Sequence, residues 1–422
     1  MLIQFSIENY RSIKERQTLS MVTSTSKIER SRCLLHTGFK AAPALLEVTA
    51  IYGPNGSGKS TLVNAMDFFQ DFVMDSHKLQ PGEPIDAISP FLFSKKTTTQ
   101  PSTFEAVFVK DNFLFQYGFT ADNKKVHDEW LYATPAGNQK QKPQTWFKRN
   151  SKDIKQSTIK RELKGAKEAW KEGTGENHLF LSVAANRQSE DFKKPFNWIK
   201  SNLRVLTSPG RLHYGYTANQ ILQNKRKKNI ISLMKDLDLF FDDVSVVEKT
   251  LAESDFKGLD KLPPSVKEEL LKEMLGKKHT EVFTRHKIEE GGHCTLPLES
   301  ESAGTQQLFA LAGPIIDVFE GGSTLVVDEI HNSLHPLALK KIISLFQDKE
   351  VNKKNSQLIF TTHDTNAMNY LERDQIWLLE KRKFGNTTFS ALSEFKGRPD
   401  EAIEKRYLGG RYGAIPNIES IN

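Results

Sequence analysis

Apolar positions along the chain change period several times, and each change marks an element. Leu2-Ile-Gln-Phe-Ser-Ile7 alternates and predicts a half-buried strand. Val48-Thr-Ala-Ile-Tyr52 is an unbroken apolar run, the form of a short strand covered on both faces. Thr103-Phe-Glu-Ala-Val-Phe-Val109 and Phe113-Leu-Phe-Gln-Tyr-Gly-Phe119 alternate on either side of Lys110-Asp-Asn112, which predicts a hairpin. From 145 to 290 the pattern turns mainly helical. Its clearest helix is Ser265-Val-Lys-Glu-Glu-Leu-Leu-Lys-Glu-Met-Leu275, opened by Pro263-Pro264 and a Ser265/Glu268 capping box and stopped by Gly276. Strand patterns then return in Ser323-Thr-Leu-Val-Val-Asp-Glu329, Gln357-Leu-Ile-Phe-Thr-Thr-His-Asp364 and Gln375-Ile-Trp-Leu-Leu-Glu380, with a helix over 337–347. The chain has no internal repeat, no extended low-complexity tract and no sustained heptads.

Three of these strands lead into residues that carry chemistry, and a helix start supplies a fourth set. Gly53-Pro-Asn-Gly-Ser-Gly-Lys-Ser60 follows the second strand and fits G-x-x-x-x-G-K-[ST] at every position. A polyphosphate needs converging backbone N–H groups, and a Gly-rich turn running into a helix start supplies them. Asn55, Gly56, Ser57, Gly58, Lys59, Ser60 and Thr61 are therefore expected around the phosphates, with Lys59 on the β and γ groups and the Ser60 hydroxyl on Mg²⁺. Asp328 ends an apolar strand and would hold the Mg²⁺ shell, while Glu329 would orient or deprotonate the attacking water. His363 ends the next strand, where a ring N–H would hydrogen-bond a γ-phosphate. Glu301-Ser-Ala-Gly-Thr-Gln-Gln-Leu-Phe309 opens a helix, with Ser302 as its N-cap and Gly304 allowing close backbone approach. A Ser-x-Gly helix start is a second anion-binding surface, and one chain does not need two for one triphosphate.

The set, in this order, resembles the ABC-type ATPase core of the Rad50, SMC and RecF group. With the opening Met1-Leu-Ile-Gln-Phe-Ser-Ile-Glu-Asn-Tyr-Arg-Ser-Ile13, the loop Glu329-Ile-His-Asn-Ser-Leu-His-Pro336 and the closing Lys405-Arg-Tyr-Leu-Gly-Gly-Arg-Tyr-Gly-Ala-Ile-Pro416, it is similar to the bacterial AAA15-type ATPases, as in anti-phage subunits of PARIS, Septu or AbiL-like systems. The likeness is strongest at both ends of the chain and weakest over 145–293. It implies an α/β, ABC-type P-loop ATPase core, with a mixed central sheet plus an antiparallel sheet and an inserted, mainly helical domain. It also implies ATP and Mg²⁺ as cofactors, and a homodimer or higher homo-oligomer in which the Ser302 helix of one copy covers the ATP of another. A separate effector nuclease, Toprim-type or similar, is the implied partner in anti-phage defence. Arg11, in the Asn-x-Arg-Ser turn, would by this likeness lie near the phosphates or adenine; by residue type alone it is also a surface arginine. No glutamine matches the family's Mg²⁺-sensing position, and Gln100 reads as a polar loop residue.

Because motifs from 53 to 363 must meet in one site, the expected organisation is an N-terminal lobe over 1–144, an insertion over 145–290 and a C-terminal lobe over 291–422. Lys and Arg total 59 against 52 acids, a modest excess of +7. Its distribution is more telling, because Lys140, Lys142, Lys148, Arg149, Lys152, Lys155, Lys160, Arg161 and Lys225-Arg-Lys-Lys228 crowd the insertion. Two readings fit: a surface for phosphate backbones, or a solvated face shared with Glu162, Glu168 and Glu172. The first would make the protein an ATP-dependent DNA repair or recombination clamp; a toxin whose insertion holds an active site is a third class. Trp146, Phe147, Trp170 and Trp198 read as core rather than base-stacking platforms. Cys33 and Cys294 form no disulfide framework or metal spacing, and the pair in Arg30-Ser-Arg-Cys-Leu-Leu-His36 reads as a loop. No leader or span is legible, since the most apolar segment is interrupted by Gly313, Pro314 and Asp317, so a cytoplasmic protein with no membrane role is expected.

Overall fold

A computed structural model of the 422-residue chain describes residues 1–23, 34–137, 142–150, 152–207, 214–223, 225–237, 239, 241–252, 263–397 and 401–416. Arg30, Arg32, Cys33 and Lys140 lie outside the described residues. The chain divides into two compact units: Met1–Pro209 with Asp317–Asn332 and Leu339–Asn422, and Gly210–Ile316 with Ser333–Ala338.

A six-stranded sheet organises the first unit, in the order Leu203–Leu206, Thr324–Val327, Gln357–Thr361, Val48–Tyr52, Ile376–Lys381, Thr387–Ala391. The first five strands run parallel and the last antiparallel. Thr324–Val327, Gln357–Thr361 and Val48–Tyr52 are buried at every residue, which is why their sequences are continuous apolar runs rather than alternating ones. Parallel pairing puts all their C-terminal ends, and whatever residues follow, at one edge.

A seven-stranded antiparallel sheet completes this unit, in the order Thr158–Ile159, Gln144–Lys148, Val126–Pro135, Phe113–Ala121, Ser102–Lys110, Leu2–Glu8, Gln17–Ser20. The hairpin pairs Lys110 with Phe113, and Asp111 and Asn112 turn at φ 48° and 62°. Two successive left-handed residues make the turn whose twist matches the strands, a geometry that Asp and Asn tolerate. The helix Lys59–Asp75 lies against this sheet: Phe69 meets Phe5 edge to face at 5.5 Å and stacks on Phe119 at 5.8 Å. Leu2–Glu8 is consequently not half-buried as its alternation predicts, since Leu2, Ile3, Phe5, Ser6 and Ile7 are all buried. Buried Gln357 stitches the two sheets: its Oε1 accepts from the Leu2 N–H (2.6 Å) and the Thr324 hydroxyl (3.0 Å), and its Nε2 donates to Leu2 O and Leu46 O.

Residues 145–150 and 152–207, expected within an inserted domain, pack in the first unit. Leu203–Leu206 joins the parallel sheet beside Thr324–Val327, and Gln144–Lys148 extends the antiparallel one. Trp146, Phe147, Trp170 and Trp198 are buried, as core residues. Arg149 is buried too, donating to His178 O (2.8 Å) near the fully buried Glu129, whose carboxylate accepts from Tyr117 and from the Phe180 and Leu181 N–H groups. Lys160 donates to the Gln144 side chain. Part of the positive charge therefore serves local structure, whereas Lys142, Lys148, Lys152 and Lys155 are exposed.

The second unit carries a sheet as well as its helices. Asp243–Thr250, Lys278–Lys287 and His293–Pro297 form a three-stranded antiparallel sheet accompanied by the helices Gly215–Leu222, Lys227–Asp236 and Pro264–Met274. The alternating Val244-Ser-Val246 stretch is too short to stand out among charged neighbours. Pro264–Met274 begins with Pro263 at its cap and no side-chain cap bond, so the Ser265/Glu268 box does not form. The helix Ala303–Gly321 runs through Pro314, which cannot donate to Ala310 O. Thr217 repairs that loss by donating its hydroxyl to Ala310 O (3.1 Å) while accepting from the Gly313 N–H (3.1 Å).

Candidate functional site

The loop after Val48–Tyr52 is built on glycine. Gly58 has φ 105°, and a Cβ there would stand 2.5 Å from Thr387 Oγ1, so a side chain would be strained and would have to displace that of Thr387. Gly58 also starts the helix Lys59–Asp75, whose N-terminus has no side-chain cap and no acid in its first turn. A 17-residue helix thus presents unpaired N–H groups and its positive end beside exposed Asn55, Gly56 and Ser60. The Ser57 hydroxyl is buried without a partner, and Thr61 lies at half-burial in the first turn. Lys59 is 5 % exposed and folds back onto the loop, donating to Gly53 O (2.8 Å) and Pro54 O (3.2 Å). Burial pulls its pKa below the ordinary lysine value, and Asp328 and Glu329 oppose that shift. A polyanion fits this donor set: uncapped N–H groups, a desolvated ammonium and a hydroxyl for a cation.

Asp328 and Glu329 follow the strand Thr324–Val327. Asp328 is buried, and its Oδ1 accepts from the Thr361 hydroxyl at 2.6 Å. Glu329 sits at φ 50°, a left-handed backbone unusual for this residue, and its Oε2 accepts from Asn332 Nδ2 at 2.8 Å. Two residues past Gln357–Thr361, His363 meets His331 edge to face, with ring centroids 5.5 Å apart. Burial pulls both imidazoles below the ordinary histidine value; Lys59 lowers both, and Glu329 and Asp328 push the other way. The first unit therefore brings Lys59, Asp328, Glu329 and His363 to one sheet edge. Among the described residues no three His, Cys, Asp or Glu side chains form a metal-holding group.

The turn at residues 9–13 adjoins the loop. Ser12 Oγ lies 3.3 Å from Thr61 Oγ1 and 2.9 Å from Thr387 Oγ1, whose hydroxyl also reaches Ser57 O. Arg11, at φ 48°, is exposed and lies over the Tyr10 ring at 5.2 Å. Asn9 fixes the loop that contains Gln100: its Nδ2 donates to Thr97 O and Gln100 O, and its Oδ1 accepts from the Phe91 N–H. The Gln100 side chain is exposed.

Ser302 and Gly304 belong to the second unit. The Ser302 hydroxyl accepts from the Thr305 N–H at 3.1 Å, capping the helix start. A Cβ on Gly304 would stand 2.7 Å from Ser333 O, so the loop after the acidic strand lies directly on this glycine. Glu301, just before the cap, accepts from Thr284 and from His286 (2.7 Å).

Sequence reasoning missed Thr361, His331 and Asn332. Thr361 reads as one more strand residue, and only the pairing of Gln357–Thr361 beside Thr324–Val327 makes it a neighbour of Asp328. His331 and Asn332 were legible as polar residues directly after Glu329, but their spacing specifies no role.

Glycine-rich loop, buried lysine, helix N-terminus and an acid-ended parallel strand define a P-loop nucleotide-binding protein of the α/β class. The chain belongs to the family described as "AAA domain, putative AbiEii toxin, Type IV TA system", whose pattern matches residues 48–369. It is 49 % identical over 53 residues to an ATP-dependent lipid A-core flippase of Cupriavidus metallidurans; that match spans 13 % of this chain and 8 % of the flippase. Among solved structures, the SMC head domain from Thermotoga maritima aligns with 92 % of this chain and 98 % of its own, at 16 % identity and TM-score 0.40. An SmcHead bound to the C-winged helix domain of ScpA aligns with 92 % of this chain and 97 % of its own, at 13 % identity and TM-score 0.46. No helix among the described residues is long and apolar enough to cross a membrane.

Proposed function

We propose that this chain binds and hydrolyses ATP as an ABC-type ATPase, in nucleotide-sandwich dimers or higher homo-oligomers, and acts as the sensor or scaffold that controls an effector nuclease in anti-phage defence. The observation that carries the ATPase reading is the convergence of Lys59, Asp328, Glu329 and His363 at one edge of a parallel sheet, beside an uncapped helix N-terminus. Bound Mg²⁺ would supply charge neutralisation for the phosphates, held by Ser60 and, through water, Asp328. The loop N–H groups and Lys59 bind the phosphates once Lys59 releases Gly53 O and Pro54 O. Glu329 accepts the proton of the attacking water, its carboxylate aimed by Asn332. His363 donates a ring N–H toward the γ-phosphate, which its lowered pKa still allows because neutral imidazole keeps one N–H. Ser302 and Gly304 supply the covering surface for a second copy's nucleotide, since one chain has no use for two anion sites.

The experiment is equilibrium binding of a fluorescent ATP analogue alongside phosphate release. Lys59→Ala should weaken binding, whereas Glu329→Gln should bind normally and lose about 100-fold or more in turnover. Hydrolysis unaffected by both substitutions overturns the reading.

The family description names a toxin, which favours one second reading: the chain alone arrests growth. Overexpression without neighbouring genes, with Lys59 intact and with Lys59→Ala, separates the two, since a scaffold alone is harmless in both forms.

A further inference from the structure

The residue that aligns the two acids of the ATP site lies on neither of their elements. Thr361 is the last residue of Gln357–Thr361 and is completely buried. Its hydroxyl has one proton and spare lone pairs, and both are committed: it donates to Asp328 Oδ1 at 2.6 Å and accepts from the Glu329 N–H at 2.7 Å. Its carbonyl takes a third bond, from the Ile330 N–H at 3.1 Å. One residue thus holds three consecutive residues of the neighbouring segment, and the middle one is the only acid of the site in a left-handed backbone, Glu329 at φ 50°. A Glu does not adopt that conformation by preference, so the bond to its N–H has structural consequence. The Asp328 bond has a chemical one. A hydroxyl donating to Oδ1 restrains the plane of the carboxylate and leaves Oδ2 outside that bond.

We propose that Thr361 is a positioning residue of the ATPase centre: through a single hydroxyl it orients the Asp328 carboxylate toward the nucleotide-bound cation and locks the Glu329 backbone so that its carboxylate meets the attacking water. This rests on the ATPase reading above. Valine has the shape of threonine without the hydroxyl, and serine keeps the hydroxyl without the methyl, so the two substitutions separate chemistry from packing. Outer-shell partners of this kind are worth about 10- to 100-fold in metal affinity or activity.

The test uses the full chain and measures binding of a fluorescent ATP analogue as Mg²⁺ is titrated, turnover, and thermal unfolding of Thr361→Val and Thr361→Ser. Thr361→Val should raise the Mg²⁺ concentration needed for half-maximal binding and lower kcat about 10- to 100-fold, while binding without Mg²⁺ stays at the wild-type level; Thr361→Ser should restore both. Wild-type Mg²⁺ dependence and turnover in Thr361→Val overturn the proposal, as does an equal loss in both variants, which assigns Thr361 to packing alone. If Thr361→Val does not fold, Thr361→Ala is read the same way against Thr361→Ser. Glu329→Gln and Lys59→Ala are run alongside: if turnover survives those too, the ATPase reading itself fails, whereas if only the Thr361 variants are silent the positioning role fails.

Discussion

His331 and His363 face each other edge to face with ring centroids 5.5 Å apart, close to the carboxylate of Glu329. Burial, the Lys59 cation and the neighbouring ring hold His363 below the ordinary imidazole value, so it is neutral at physiological pH. A neutral ring with one N–H would suit contact with a γ-phosphate whose charge Lys59 and Mg²⁺ would already balance. His363→Ala should therefore lower turnover about 100-fold with little change in nucleotide affinity, as for loss of one aligned donor in a reaction centre. Phosphate release under saturating ATP, together with an equilibrium binding curve, checks both halves of this expectation.

Gly304 is constrained by Ser333 O, which lies 2.7 Å from where its Cβ would be. The neighbour is backbone, not a flexible side-chain end, so Gly304→Ala must displace the loop after the acidic strand. The expected cost is about 1–3 kcal/mol of stability, as for other overpacked sites. Turnover should fall further than stability accounts for, because that loop continues from Glu329. Chemical denaturation and single-turnover hydrolysis on the same preparation measure the two effects separately.

Glu47 precedes the phosphate-loop strand, is 2 % exposed, and has an Oε2 with no hydrogen-bond partner. Burial pushes its pKa up to about 7, against a partial pull downward from its own backbone and Lys349. The folded protein then binds a proton that the unfolded chain has released above its ordinary value of 4.5, so stability falls as pH rises from about 4.5 through about 7. Glu47→Gln removes the ionisation and should raise the melting temperature at pH 8 while changing little at pH 4. The gain is at most about 3 kcal/mol. Equal shifts at both pH values would assign the effect to packing instead.

Most of the first unit was legible because its signals are local. Val48–Tyr52, Thr324–Val327 and Gln357–Thr361 announce themselves as buried strands, and parallel pairing alone then carries Gly53, Asp328 and His363 to one edge. What stayed hidden depends on contacts between distant segments. Leu203–Leu206 reads as part of a helical, basic stretch, yet it pairs with Thr324–Val327 and belongs to the core sheet. Arg149 reads as one of a row of surface cations, but the carbonyls of Gly175, Glu176 and His178 and the buried Glu129 draw it inside. The strands Asp243–Thr250 and Lys278–Lys287 carry too many charged residues to alternate clearly, because their outer face is exposed. Thr361 carries no signal at all in one dimension; its role comes from the strand it lies beside.

If the ATP held by Lys59 and Ser60 of one copy is covered by Ser302 and Gly304 of another, copies assemble only when nucleotide is bound. The most direct measurement is the mass of Glu329→Gln in solution by light scattering, with and without Mg²⁺ and ATP, compared with the same protein carrying Ser302→Arg. ATP should increase the mass of the first by a whole number of copies and leave the second unchanged while both still bind nucleotide. An ATP-loaded Glu329→Gln protein whose mass never changes, or one whose assembly ignores Ser302→Arg, contradicts it.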